Sequence, residues 1–190
     1  MAKRILLLAS GTGSLAAAVI AAQESGEIAL DILGLLSDRD SPALQLARDH
    51  GLPAFYLPMS KPPVPRAKWD DEIFKVTEEL NPDLVVSVGF MRILAPSYVE
   101  RFQVINTHPS LLPAFPGAHA VRDALLAGVQ VTGTTVHRVD AGLDTGPVIS
   151  QVEVPVMPID DESTLHERIK IAERALIVET LAKYGETGNL

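Results

Sequence analysis

The stretch that decides the fold is Ile5-Leu6-Leu7-Leu8-Ala9-Ser10-Gly11-Thr12-Gly13-Ser14, in which an apolar run meets a glycine-rich turn. A continuous apolar run is typical of a parallel strand that is buried on both faces. The glycines permit a tight turn, and the Ala-rich segment from Leu15 to Gln23 then predicts a helix. The chain is therefore predicted to begin with a strand–turn–helix unit.

The same alternation continues through the first half of the chain. Buried strands are predicted at Leu30 to Leu36 and Leu84 to Val88, and a short strand at Pro53 to Leu57. Helices are predicted at Pro42 to His50 and Arg66 to Leu80, and a proline-rich loop at Pro58 to Pro65. Strands that alternate with helices in this way predict an α/β fold with a Rossmann-like, doubly wound parallel sheet.

The second half follows a different pattern. It predicts strands at Val104 to Thr107, Val131 to Val139 and Val148 to Val154, and helices at Ala118 to Ala127 and Thr164 to Tyr184. We expect the last two strands to pair antiparallel and extend the sheet. Ser163 or Thr164 is predicted to cap the last helix. No boundary divides the pattern, so residues 1–190 are expected to form a single domain.

Composition narrows the classes of partner. The 190 residues carry a net charge of −8, and an acidic protein is a poor sequence-independent binder of nucleic acid. There is no cysteine, which excludes disulfides and thiolate metal sites. No apolar run reaches transmembrane length. We expect a soluble, cytoplasmic protein that acts on a small molecule without a metal, while a homodimer is left open.

The turn from Ser10 to Ser14 is a candidate anion site. A helix N-terminus offers free N–H groups and a positive dipole end to a phosphate. The turn lacks the lysine of a Walker A loop and the third glycine of the dinucleotide fingerprint. Taken alone, it indicates a plain strand-to-helix turn as readily as a phosphate site.

Two further polar segments could carry chemistry. Asn106 and His108 follow a predicted strand, and their spacing places both side chains on one face of an extended chain. Such a pair can stabilise an oxyanion and handle a proton. The loop from Asp140 to Pro147 holds two acids and two glycines, which is also the composition of a solvated turn. Each segment taken by itself indicates an ordinary turn.

Taken together, these segments resemble the folate-dependent formyltransferase family over nearly the whole chain. The resemblance is carried by His108-Pro109-Ser110-Leu111-Leu112-Pro113, Gly133-Thr134-Thr135-Val136-His137 and Leu143-Asp144-Thr145-Gly146-Pro147-Val148. The Ser10–Ser14 turn and Gly89-Phe90-Met91-Arg92-Ile93-Leu94 look like the branch that formylates glycinamide ribonucleotide. The resemblance implies the formyltransferase fold. It also implies transfer of a formyl group from 10-formyltetrahydrofolate to the amine of that ribonucleotide, in de novo purine biosynthesis.

The resemblance also implies the residues of the site. Asn106, His108 and Asp144 would be catalytic, with Asp144 orienting His108 and favouring its charged form. Residues for the ribonucleotide would be Gly13, Ser14, Leu15 and Glu173. Residues for the folate would be Arg66, Met91, Arg92, Ile93, Leu94, Asn106, Asp140 and Asp144. Leu15 departs from the asparagine common in this branch, so a backbone contact there would survive and a side-chain contact would not.

Three rival functions remain to be weighed. Methionyl-tRNA formyltransferases carry an additional C-terminal domain, and formyltetrahydrofolate hydrolases carry an extra N-terminal one. We therefore expect this 190-residue chain to be neither. A non-catalytic nucleotide-binding module would use the glycine-rich turn and leave Asn106, His108 and Asp144 unexplained.

Overall fold

The fold is built on a seven-stranded mixed sheet in the order β3-β2-β1-β4-β5-β6-β7. The computed structural model describes residues 2–59 and 65–190, so part of the predicted proline-rich loop, residues 60–64, lies outside the described residues. The strands are β1 (Lys3–Leu8), β2 (Leu30–Ser37), β3 (Ala54–Tyr56), β4 (Leu84–Ser87), β5 (Val104–His108), β6 (Val131–Arg138) and β7 (Val148–Pro155). The first five strands pair in parallel, and β6 pairs antiparallel with both β5 and β7. This arrangement confirms the predicted fold class.

Helices cover both faces of the sheet. They are α1 (Ser14–Glu24), α2 (Pro42–Asp49), α3 (Arg66–Leu80), α4 (Pro96–Arg101), α5 (Ala120–Leu126) and α6 (Glu162–Thr187). Successive side chains of a strand point to opposite faces, so Ile5 and Leu7 pack with α1, α2 and α6, while Leu6 and Leu8 pack with α3 and α4. Both faces of β1 are therefore buried, as its continuous apolar run predicts.

The topology decides where polar groups meet. The chain runs outward from β1 to β2 and β3, then returns to place β4 on the other side of β1. In open α/β sheets, ligands bind beyond the carboxyl ends of the strands at such a reversal of strand order. The turn after β1 and the segment after β4 both lie at this edge of the sheet. In the described part of the chain, no helix combines the length and apolar character needed to cross a membrane.

Two local predictions were wrong. Helix α4 was not predicted, because its six residues are too few to show a helical period. The predicted cap of α6, Ser163 or Thr164, is replaced by Asp161. Its Oδ1 accepts from the Thr164 backbone N–H at 2.8 Å, while the Thr164 hydroxyl accepts from the Asp161 N–H at 3.0 Å. This reciprocal capping box starts the helix at Glu162, two residues before the predicted start.

Replacing the cap should destabilise the protein. Asp161→Ala removes the acceptor for the free N–H of Thr164, so the urea midpoint of unfolding should fall. Ser163→Ala is the matched control, because Ser163 lies inside the helix and its midpoint should stay near that of the native protein. Equal midpoints for Asp161→Ala and Ser163→Ala would contradict the assignment of Asp161 as the cap.

Candidate active site

Asn106 is held in a fixed orientation at the carboxyl end of β5. Ser87, on the neighbouring β4, donates its hydroxyl to Asn106 Oδ1 at 2.7 Å. The amide nitrogen of Asn106 consequently faces β6, where it lies 3.3 Å from His137 Nε2. Asn106 and His137 are register partners in the antiparallel pairing of β5 and β6. The amide can therefore present its second N–H to a ligand without a change of rotamer.

His108 lies two residues further along β5 and is buried between two hydrogen-bond acceptors. Its Nε2 lies 2.8 Å from the backbone carbonyl oxygen of Phe115, and its Nδ1 lies 3.4 Å from Asp144 Oδ2. Only 4% of His108 is exposed. The doubly protonated imidazolium can donate toward both oxygens, whereas each neutral tautomer leaves one nitrogen lone pair facing an oxygen. His108 is thus placed between two oxygens to which its ring nitrogens can donate.

Asp144 connects two histidines across the site. Its Oδ2 also accepts from the Gly117 backbone N–H at 2.8 Å, and its Oδ1 lies 3.7 Å from His137 Nε2. The residue has a φ of 55°, a left-handed conformation that is uncommon for a residue with a side chain. A tight loop that holds a carboxylate against two buried imidazoles is the arrangement expected of a functional site rather than of a solvated turn.

Asp140 has a different part in the same loop. Its Oδ1 accepts from the Gly142 N–H at 3.0 Å and from the Thr145 hydroxyl at 2.7 Å. The carboxylate therefore shapes the turn that carries Asp144. The contact of Asp140 with the folate stays a prediction, and these hydrogen bonds give Asp140 a role within the loop. Across residues 2–59 and 65–190, no three His, Asp or Glu side chains are placed to hold a metal ion.

His137 is the member of this cluster that sequence reasoning left without a role. Burial lowers the pKa of His137, and its hydrogen bond to the Arg138 carbonyl and the charge of Asp144 offset only part of that shift. A neutral ring that donates Nδ1–H to the Arg138 oxygen, 2.8 Å away, leaves Nε2 free to accept from Asn106. The signal that could have identified His137 is its position on β6, where its side chain points inward directly opposite Asn106. His119 is exposed at the N-cap of α5.

The turn after β1 presents backbone donors. Gly13 has a φ of 82° and is the N-cap of α1. A Cβ at this position would lie 2.9 Å from the Ala43 Cβ, so packing as well as conformation requires glycine. The Leu15 side chain is 8% exposed and packs in the core, which leaves only its main chain for a ligand. As at any helix start, the N–H groups of the first turn have no acceptor within the helix.

Glu173 brings a buried carboxyl from α6 to the vicinity of β5. Only 5% of the residue is exposed, and burial raises the pKa of Glu173 to about 7. The nearby Thr107 hydroxyl, on β5, offsets part of this rise in the pKa of Glu173. Its geometry is nevertheless not that of a hydrogen bond, and among the described residues the buried hydroxyl has no hydrogen-bond partner. A carboxyl group held in this state is a candidate acceptor for a hydroxyl-bearing ligand.

The segment after β4 divides its side chains between surface and interior. Met91 and Ile93 are 67% and 66% exposed, whereas Leu94 is buried in the core. The Arg92 Nε donates to Asp38 Oδ2 at 2.6 Å, so its guanidinium is directed into the protein. Of the four residues predicted to contact the folate here, Met91 and Ile93 form the accessible apolar surface. Arg92 and Leu94 can contribute their backbone.

Arg66, at the start of α3, contacts the segment after β4. It donates Nε to Asp70 Oδ1 at 2.8 Å and Nη2 to the Ile93 carbonyl oxygen. Its guanidinium lies 4.8 Å from the centre of the Trp69 ring. The side chain is still 43% exposed, so it can bind a further anionic partner.

A cavity of about 260 Å³ adjoins the loop that carries Asp144. It is lined by Leu112, Pro113, Pro116, Leu143, Asp144, Thr145, Gly146 and Val148.

Comparison with known proteins places the chain in a family. The family model for formyl transferase matches residues 3–181. A phosphoribosylglycinamide formyltransferase of Mycobacterium tuberculosis is 48% identical over 187 residues, which are 97% of this chain and 86% of that protein. The crystal structure of glycinamide ribonucleotide transformylase 1 from Symbiobacterium toebii is 36% identical, with a TM-score of 0.92 over 97% of this chain and 88% of that one. A formyltetrahydrofolate deformylase structure from Pseudomonas syringae has the same TM-score at 29% identity, over 98% of this chain and 62% of that one. The chain therefore belongs to the formyl transferase family.

Proposed function

We propose that this chain transfers the formyl group of 10-formyltetrahydrofolate to the amino group of glycinamide ribonucleotide, in de novo purine biosynthesis. The observation that carries the proposal is the cluster of Asn106, His108 and Asp144. It lies at the same edge of the sheet as the free N–H groups of α1, with β4 between β1 and β5. An oxyanion site next to a phosphate site suits an acceptor that bears both an amine and a phosphate. Both ends of the chain contribute to this site, so we take residues 1–190 to act as one formyltransferase domain.

The reaction we assign to this cluster is direct attack. The lone pair of the substrate amine forms a bond to the formyl carbon, and the carbonyl electrons move to oxygen. The Asn106 amide donates to that oxyanion, and the positive charge of His108 stabilises it. A proton leaves the attacking nitrogen to water, and collapse of the intermediate expels the folate nitrogen, which takes up a proton. Asp144 balances the charge of His108 throughout.

The neighbouring residues would hold the two substrates on either side of the reacting carbon. The phosphate would accept from the first N–H groups of α1, at Ser14 and Leu15, and the ribose hydroxyls would donate to Glu173. The folate rings would lie against the exposed side chains of Met91 and Ile93. Arg66 would meet the acidic tail, because a guanidinium pairs well with carboxylates.

The catalytic assignment predicts a loss of rate without a loss of binding. Asn106→Ala and His108→Ala should each lower kcat by about 10²–10³, because their contacts strengthen as the oxyanion forms. The measurement is the absorbance change on deformylation of the folate, with and without glycinamide ribonucleotide. The native protein should turn over only when the ribonucleotide is present. Turnover without it would contradict the proposed function and indicate a hydrolase.

Asp144→Asn tests the charge within the same set. Without the carboxylate, the ring of His108 loses the negative partner that orients it, so kcat should fall. Combined with His108→Ala, it should add much less than a multiplicative loss. Multiplicative losses would show that Asp144 acts independently of His108.

Arg66→Ala should raise the KM for the folate roughly tenfold or more with little change in kcat, because a contact to a distant charged tail is equal in ground and transition states. Lys68→Ala is the control, since Lys68 is more exposed and on the same helix. Its KM should match that of the native protein. A fall in kcat with an unchanged KM would place Arg66 in the chemistry instead.

Glu173 should make the stability of the ligand-free protein depend on pH. The folded protein keeps its proton up to a pKa of about 7, whereas the ordinary value is 4.5, so stability falls as the pH rises through this window. Glu173→Gln cannot ionise. Relative to the native protein, it should gain up to about 3 kcal/mol of stability across the window. Urea unfolding at pH 5 and pH 8 measures this, with the exposed Glu179→Gln as control. Parallel pH profiles for both variants and the native protein would refute the buried ionisation.

A further inference from the structure

A buried polar unit links the turn after β1 to the segment after β4. Asp38 follows the carboxyl end of β2, and its side chain is completely buried. Its Oδ1 accepts from the Ser10 hydroxyl, and its Oδ2 accepts from Arg92 Nε at 2.6 Å. Arg39 approaches the same oxygen at 3.5 Å from a more exposed position. Ser10, Asp38 and Arg92 are called the linking triad below.

Ser10 connects the turn after β1 to the segment after β4. Its hydroxyl donates to Asp38 and accepts from the Met91 backbone N–H at 2.9 Å, and its own N–H donates to the Gly89 carbonyl at 3.0 Å. A chain of polarised hydrogen bonds therefore runs from Met91 through Ser10 to Asp38. Ser10 is the first residue of the turn assigned to the phosphate, and Met91 begins the apolar surface assigned to the folate.

The triad stays charged although it is buried. Burial by itself would raise the pKa of Asp38, but the hydrogen bonds from Ser10 and Arg92 and the arginine charges outweigh it and lower the pKa. A buried carboxylate with several charge-assisted hydrogen bonds has few alternative arrangements, because losing one partner leaves an uncompensated charge. A shift of either loop must therefore displace the other or break a contact to Asp38.

We infer that the linking triad couples the two substrate sites, so that glycinamide ribonucleotide and the folate each increase the affinity for the other. Ser10 and Asp38 act as positioning residues in this reaction. The inference rests on the proposed function. A phosphate that shifts the turn after β1 moves Ser10, and through Asp38 and Met91 it moves the surface that receives the folate. The second ligand then binds a region that the first has already brought toward its bound position.

The test measures affinity rather than turnover. The affinity of the native protein for glycinamide ribonucleotide is measured by calorimetry without and with saturating tetrahydrofolate, which has no formyl group to transfer. We expect a ratio of about 5 or more, as is typical of coupled sites, and the same ratio when the order of the ligands is reversed. In Ser10→Ala and Asp38→Ala the ratio should fall to about 1.

Ser41→Ala is the matched control. Ser41 is a buried serine near Asp38, and its hydroxyl lies 3.1 Å from the Ser37 hydroxyl, outside the linking triad. This variant should keep the native ratio. If Asp38→Ala does not fold, the milder Ser10→Ala decides the outcome.

Two results would overturn the coupling and leave the proposed function standing. One is a native ratio of 1 with both ligands bound, and the other is a native ratio that persists in folded Ser10→Ala. If the native protein binds neither ligand, the proposed function itself fails, and the coupling fails with it. A ratio lost in Ser10→Ala but kept in Ser41→Ala supports the inference.

Discussion

The candidate active site depends on β5, the strand at which the sheet changes from parallel to antiparallel pairing. On its parallel side, β4 supplies the Ser87 hydroxyl that orients Asn106. On its antiparallel side, β6 supplies His137, which accepts from the same amide. A strand in a uniformly parallel sheet would have a second parallel neighbour here, with a slanted hydrogen-bond pattern and a different register. The mixed sheet is thus a condition of the site's geometry.

The same arrangement gathers ionisable groups that a protein interior ordinarily excludes. His108, His137 and Glu173 are almost completely buried around the end of β5. Removing such groups from water costs free energy, and their mutual contacts recover only part of it. A cluster of this kind is weak as a device for stability and well suited to chemistry, because burial strengthens each interaction with a developing charge.

The sheet and most helices could be predicted from the sequence because burial imposes a period on neighbouring residues. The apolar run of β1 and the helical face of α3 are local signals, and the structure follows them. The cap of α6 was misplaced because Asp161 and Thr164 satisfy each other's backbone, which composition alone does not reveal. Short α4 carries no period. Local patterns suffice where one element meets one apolar core.

The site was predictable only in part for the same physical reason. Asn106, His108 and Asp144 were named through resemblance, and their approach to one another is set by pairings between distant strands. The inward direction of Arg92 depends on Asp38, 54 residues earlier in the chain. The role of His137 in holding Asn106 depends on the register of β5 and β6. Such contacts have no signature in the spacing of neighbouring residues.

The burial of Leu15 has a consequence for how this protein can change over evolutionary time. Its side chain belongs to the core, while its N–H lies in the first turn of α1, where we propose the phosphate binds. Recognition through peptide groups is indifferent to which side chain is attached, so long as the helix keeps its start. Substitution at this position is therefore filtered by packing against the apolar interior rather than by the ligand. The side chain at position 15 can therefore change during evolution without loss of the proposed phosphate contact. The identity of residue 15 is a poor guide to what the turn binds.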